Sequence, residues 1–238
     1  MTDIKYLNML NSAKKFFQLI FFAVFLSACS LPAGRPADSE KVLYIDDEQA
    51  LYDVAEKGTD VDIIRLRNRV YNLEYPLVFK SLNHVVLDGN GAVLLQHALD
   101  SNVMEIVDGK DLVISNIKAL HIDPQGPEGC LGNVIAIFGG QDITIRDSEL
   151  NGSGIVGIAA YNSSNLTIVH NYIHRNSHYA IIYMGPSVRI IDNILENNGH
   201  KNNIAYSYTQ QAGWPPEEFF HSNIVKTGLF MKGNLFRD

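Results

Sequence analysis

Cysteine is almost absent from this chain: Cys29 and Cys130 are the only two in 238 residues. A cysteine-rich zinc site is therefore excluded. If Cys29 is consumed by modification, an intramolecular disulfide is excluded as well. Basic charge is also short, with 19 Lys and Arg against 26 Asp and Glu for a formal net charge of -7. The basic residues are scattered rather than striped, which argues against a nucleic-acid partner. No Gly-rich loop ends in Lys-Ser or Lys-Thr, so Gly139-Gly140 and Gly89-Asn90-Gly91 read as turns and not as phosphate cradles. No Gly-x-Ser-x-Gly elbow supplies a serine nucleophile; Asn151-Gly152-Ser153-Gly154 reads as a tight turn. Helical periods long enough to alternate with strands are missing, which removes a Rossmann-like arrangement. What is present, 46% hydrophobic and 19% charged residues, belongs to a folded domain of ordinary size.

Long apolar runs are scarce too. The strongest, Phe16 to Leu26, follows Lys14 and Lys15 and is too short to be comfortable as a permanent bilayer-spanning helix. It ends in Leu26-Ser27-Ala28-Cys29, which resembles the lipobox of bacterial lipoproteins. That resemblance implies a signal peptide over 1–28 and an acylated Cys29 as the first mature residue. It also implies a membrane partner reached through the lipid, since several acyl chains hold a protein firmly where one is reversible. Ser30 in place of an aspartate leans, by the same resemblance, toward the outer membrane of a Gram-negative envelope. Residues 29–41, with Pro32, Gly34 and Pro36, then read as lipidated cysteine and polar linker.

Residues 42–60 form a strand-helix cap. Val42-Leu43-Tyr44-Ile45 reads as a strand, Asp46 or Asp47 as the helix cap, and Ala50, Leu51, Val54 and Ala55 as its apolar face. Gly58 can stop the helix. From Val61 the pattern changes to short strands separated by Asn, Asp and Gly. Val85-Val86-Leu87, Leu112-Val113-Ile114, Ile143-Thr144-Ile145, Leu166-Thr167-Ile168 and Val188-Arg189-Ile190 are copies of one strand. The last intervals are 23 and 22 residues, while the 31-residue interval before them holds a Gly/Pro-rich insertion at 124–132. Cys130 lies in that insertion with no assignable base, and reads as a small semi-buried residue rather than a nucleophile.

Two further apolar columns keep the same phase: Ile106, Ile137, Ala160 and Ile182, then Leu150, Ile173 and Leu195. Three apolar positions per period are what a coil of three short strands requires, with stacked coils burying the interior. Asn171 aligns with Asn193 and Asn176 with Asn198, as residues suited to tight corners.

From Val42 to about Tyr208 the chain resembles the right-handed parallel β-helix superfamily that includes pectate-lyase-like proteins. The fold class this implies is all-β, a right-handed parallel β-helix solenoid over 61–208 with a short N-terminal capping helix. Residues 209–238 break phase. They are expected as a loop carrying Trp214 against the solenoid and a final irregular strand pair between Ile224 and Phe236.

Many members of the superfamily bind or cleave polysaccharides on an outer face, so the outward columns are the candidate sites. Phe138, Tyr161 and Tyr183 share one phase next to apolar positions. They are expected as an outward ring ladder about 5 Å apart, a platform for sugar faces or a stack beneath residues 209–218. Asp147, His170 and Asp192 form a second column, Asn151, His174 and Glu196 a third, and His178 with His200 a fourth. Imidazole beside carboxylate can move a proton, which makes His170, Asp192, His174 and Glu196 the catalytic candidates; such corner residues also serve simply to satisfy backbone. Arg146 and Arg189 suit an anionic sugar but are out of step with one another.

His121-Ile122-Asp123-Pro124 resembles part of the acidic and histidine motifs of uronate-modifying β-helix enzymes, without the fuller Asp-Pro-His-Asp arrangement. The calcium-and-arginine motifs of pectate lyases are also missing. The resulting expectation is an envelope lipoprotein presenting a carbohydrate- or protein-binding face, with no cofactor. The alternative is a lyase, epimerase or hydrolase on an acidic glycan, with calcium entering only for the lyase.

Overall fold

A residue in left-handed backbone geometry marks the same corner of successive coils. Asn116, Asp147, His170, Asp192 and Gly233 occupy that position in successive coils, with φ of 56°, 51°, 56°, 53° and 70°. Asn, Asp and His tolerate this region better than most side chains, which explains the polar column read from the sequence. The next residue turns inward, and its identity decides how the corner is tied.

In a computed structural model describing residues 40–122, 131–152, 155–202, 204–209 and 218–238, these corners join short strands into stacked parallel coils. Glu40–Asp238 forms one unit. A 7-stranded sheet runs through Leu77–Lys80, Met104–Val107, Ile135–Phe138, Val156–Tyr161, Tyr179–Met184 and Ile204–Ser207, closed by antiparallel Glu218–Phe220. A 14-stranded sheet supplies the other two sides of every coil, bent at the left-handed corner. Its long strands Asn83–Gln96 and Lys110–His121 pass through that bend.

The strand copies found in the sequence pair in register. Val85 faces Leu112, Leu112 faces Ile143, Thr144 faces Thr167, and Leu166 faces Val188. Leu150, Ile173 and Leu195 also align as expected. Alternate residues turn inward, and these apolar side chains are at most a few per cent exposed. Each such side chain contributes about 1.5–3 kcal/mol on burial, so the interior outweighs the surface ion pairs.

Polar ladders complete the interior. Ser148 N–H donates to Asn171 Oδ1 (3.1 Å), Asn171 N–H to Asn193 Oδ1 (2.9 Å), and Asn193 N–H to Asn234 Oδ1 (3.0 Å). The Nδ2 groups donate to the carbonyls of Ile145, Ile168 and Ile190 at 2.8–2.9 Å. A shorter ladder joins Asn176 N–H to Asn198 Oδ1 at 3.1 Å. The aligned asparagines thus tie the backbone just after the left-handed corner, rather than adopting that geometry themselves.

The N-terminal end is closed by strand Val42–Ile45, paired with Ile63–Leu66, and by helix α1 (Glu48–Lys57). Asp47 caps α1 through its side chain, 2.8 Å from Ala50 N, and Gly58 ends it. Leu51 and Ala55 turn its apolar face onto the first coil.

Two columns differ from expectation. Ile137 and Ala160 align, but the next partner of Ala160 is Tyr183, and Ile182 pairs with Ala159. The missing residue of the 22-residue interval lies in the corner: Gly185, Pro186 and Ser187 follow Met184, where Asn162 to Asn165 follow Tyr161. Counting back from Val188 therefore lands one place early. In the following coil Ile204 pairs with Ile181.

At the other end, Val188 is followed in its stack by Leu229, so the regular interval between coils ends there. Leu229–Lys232 and Leu235–Arg237 carry the parallel stacks past the boundary expected at 208. The strand pair expected near the terminus is present, with Val225–Lys226 running antiparallel to Leu229–Lys232. Cys29, Cys130, Trp214 and the rest of the lipobox, insertion and covering-loop expectations lie outside the described residues.

Candidate functional site

Strand alternation in the 7-stranded sheet sends Ile135 and Ile137 inward and Phe138 outward. Phe138 is 40% exposed, and Tyr161, its register partner in the next coil, is half-buried. The two rings stack with centroids 5.8 Å apart and planes 16° from parallel. Burial raises the Tyr161 hydroxyl's pKa above its ordinary value. The same outer column continues as Met184 and Ser207.

Tyr183 is not part of this ladder. It is fully buried, stacks on interior Tyr206 at 6.2 Å, and has its hydroxyl 2.7 Å from the carbonyl oxygens of both Ser163 and Ser187. Burial pushes that hydroxyl up to about 12. A side chain at Gly185 would collide with Ser163's carbonyl and Tyr183's hydroxyl, so the shortened corner closes over the buried phenol. The expected three-ring platform is therefore a two-ring platform, corrected by the one-residue shift in register.

The corner after the rings is polar. Asp108, Gly139 and Asn162 all have left-handed backbone, with φ of 53°, 76° and 54°. Asp108's exposed carboxylate sits against Gly139, where any β-carbon would collide with it, one residue beyond Phe138. Glu105, paired with Ala136, lies on the same outer face and accepts from Asn102 Nδ2 at 2.9 Å.

A second polar surface lies on the 14-stranded sheet. His170 stands between the carboxylates of neighbouring coils, Nδ1 3.6 Å from Asp147 and Nε2 3.7 Å from Asp192. Arg146 holds Asp147 at 2.6 Å. Asn151, His174 and Glu196 align as their spacing implies, yet the nearest carboxylate to His174 Nε2 is Glu149 at 3.2 Å. Lys118 holds the same Glu149 at 2.9 Å, and Tyr172 stacks on the His174 ring at 3.9 Å. Burial lowers the His174 pKa despite Glu149. Burial works against the Glu149 carboxylate, but Lys118 and His174 outweigh it and hold its pKa below the ordinary value. Glu196 meets Arg237 at 3.7 Å.

Asp88, Asn116, Lys118, Asp147 and Glu149 line an open cleft of about 580 Å³ at this corner. His178 and His200 approach with ring centroids 5.6 Å apart. Arg146 and Arg189 stay out of step, facing Val169 and Thr167. Among the described residues, no group of three or more His, Cys, Asp or Glu is placed to hold a metal ion, and no helix is long and apolar enough to cross a membrane.

Lys118, Glu149 and Tyr172 were not singled out from the sequence. Their signal was available: they share one register column, 31 and 23 residues apart, in the phase already used for the strands. Asp108 was hidden because its place beside Phe138 depends on the missing side chain of Gly139.

Stacked parallel coils with aromatic and charged columns outside and apolar columns inside define an all-β solenoid protein. The family model described as a right handed beta helix region matches residues 79–213, over half of the 238-residue chain, and the chain belongs to that family. No curated protein and no solved structure gives a match. Membership fits a carbohydrate- or protein-binding or glycan-active protein.

Proposed function

We propose that the chain is an envelope lipoprotein, held at the outer membrane through acylated Cys29, whose β-helix presents a glycan-binding face. The stacked pair of exposed Phe138 and half-buried Tyr161 is the observation that carries the binding reading. Two nearly parallel rings on neighbouring paired strands offer the apolar C–H faces of sugars a preformed platform, which keeps the ordering cost of binding low. The sequence Leu26-Ser27-Ala28-Cys29 supports the anchor.

Binding is tested by titrating a soluble form starting at Ser30 with a panel of oligosaccharides, beside its Phe138→Ala and Tyr161→Ala variants. Loss of binding by at least tenfold in both variants, with the fold intact by circular dichroism, is expected from removing stacked rings. Equal affinity in all three proteins would end the platform reading. For the anchor, Cys29→Ser is expected to move the protein from the membrane to the soluble fraction.

The alternative, a lyase, epimerase or hydrolase on an acidic glycan, is favoured by one specific arrangement: His170 between Asp147 and Asp192, on the sheet that also carries Lys118 and Arg146. A carboxylate-flanked imidazole is suited to proton transfer. Release of unsaturated uronates or a change in sugar configuration, lost in His170→Gln, would establish it over the binding module.

A further inference from the structure

We infer that His178 and His200 together chelate one exchangeable ion of a late transition metal, copper(II) ahead of zinc(II). The inference is independent of the ring platform. Both side chains are exposed and stand in neighbouring coils, with ring centroids 5.6 Å apart. An imidazole nitrogen binds such metals at about 2.0–2.1 Å, so two rings sharing one ion hold their centroids between about 4.5 and 6.5 Å apart. The pair already stands at that separation.

Unused lone pairs are the second ground. His84, His97, His121, His170 and His174 each lie against a carboxylate, amide or carbonyl oxygen. Among the described residues, the ring nitrogens of His200 have no hydrogen-bond partner, and His178 has one, Ser177 Oγ, 3.1 Å from Nδ1. When Nδ1–H donates to that hydroxyl, Nε2 keeps its lone pair for a metal, which is how a partner on the far nitrogen fixes the tautomer of a ligating histidine.

The backbone sets the pair before a metal arrives. Gly199 N–H donates to the Asn176 carbonyl at 2.7 Å, and any β-carbon at Gly199 would collide with the carbonyls of Ser177 and His178. The two corners are therefore in direct contact. Tyr179 stacks on the His200 ring at 4.7 Å and 16°, which limits its rotation. Two protein ligands are fewer than the four of a structural zinc site, so water completes the coordination and the ion exchanges. Imidazole suits copper and zinc alike, and copper(II) stands above zinc(II) in affinity for a given nitrogen site.

The test is calorimetric titration of the untagged full chain in detergent with copper(II) and zinc(II) chlorides, beside His178→Gln, His200→Asn and the double variant. Asparagine is chosen at 200 because it accepts the left-handed backbone there, φ 48°. Copper(II) is expected to bind tenfold or more tighter than zinc(II). Each single variant should lose at least tenfold, with circular dichroism unchanged, and the double variant little more, because removing either ring breaks the chelate. Electron paramagnetic resonance of the copper(II) complex should show coupling to imidazole nitrogens in the intact chain and a changed spectrum in each variant. Affinity and spectrum unchanged in both single variants would place the ion elsewhere and overturn the inference. Losses that simply sum in the double variant would mean two separate one-histidine sites and overturn the chelate, as would failure to take up either metal at about 1 mM.

Discussion

Asn193 shows how much one side chain carries in this solenoid. Its Oδ1 accepts from Asn171 N–H and its Nδ2 donates to the carbonyls of Ile168 and Ile191, all within 3.0 Å, and the side chain itself is fully buried. Asn193→Ala leaves several buried polar groups unmade at once, each costing about 1–3 kcal/mol. We expect about 3 kcal/mol of lost stability after partial relaxation, read from urea unfolding. A loss under about 1 kcal/mol would mean that water replaces the amide.

His174 gives the pH dependence. Burial lowers its folded-state pKa from the ordinary 6.5, so the folded protein prefers the neutral ring. As pH falls through 6.5 the unfolded chain takes up a proton that the folded chain refuses, and stability declines until the folded pKa is passed. His121, fully buried and lowered for the same first reason, acts in the same direction. Glu149 adds a second loss at lower pH, as its depressed carboxylate is protonated below the ordinary 4.5. Unfolding midpoints should therefore fall in two steps from neutral to acid. His174→Gln should shallow the first step without abolishing it, because His121 remains. An unchanged first step in that variant would remove His174 from the account.

At the scale of elements, the strands were legible because each is specified by its own alternation and again by its phase with its neighbours. Leu112, Ile143, Leu166 and Val188 are separated by unequal intervals, yet each is the first inward-facing residue of its strand. Corners were less legible. A corner can lose a residue without disturbing the strands on either side, as Gly185-Pro186-Ser187 does, and a count carried across it then misplaces Tyr183 from core to surface. Side-chain reach was not legible at all: His174 aligns with Glu196 but turns to Glu149, because parallel neighbours two residues apart on one face compete for the same imidazole. Helix α1 was readable for the opposite reason, since its cap and apolar face are local. Its worth is testable locally too. Leu51 is 1% exposed against the first coil, and Leu51→Ala is expected to cost about 2–5 kcal/mol in urea unfolding. A cost well below 1 kcal/mol would show that α1 lies on the coil without closing it.

For the whole molecule, the problem of a solenoid is its ends, because each coil contacts only its neighbours and the last one offers bare strand edges. The N-terminal end is closed by α1 and a short strand. The C-terminal end uses reversal: Glu218–Phe220 runs antiparallel to Ile204–Ser207, and Val225–Lys226 runs antiparallel to Leu229–Lys232. An antiparallel strand on a parallel stack cannot be extended by another coil in the same register, so these short segments stop the repeat. They also finish the core, since Leu229 and Met231 are buried and the asparagine ladder runs through Asn234 to Asn223, whose Oδ1 accepts from Asn234 N–H. Ending the chain after Tyr208 would strip the partners from Ile204–Ser207, Val188–Ile191 and Ile194–Glu196 together. It would also uncover Ile190 and Tyr206, both fully buried in the intact chain. The expected product is a concentration-dependent oligomer or an aggregate, seen by size-exclusion chromatography with light scattering. A truncated monomer that unfolds at the same urea concentration as the intact chain would show that the coils before Tyr208 need no terminal closure, and that the last thirty residues serve something other than the edge.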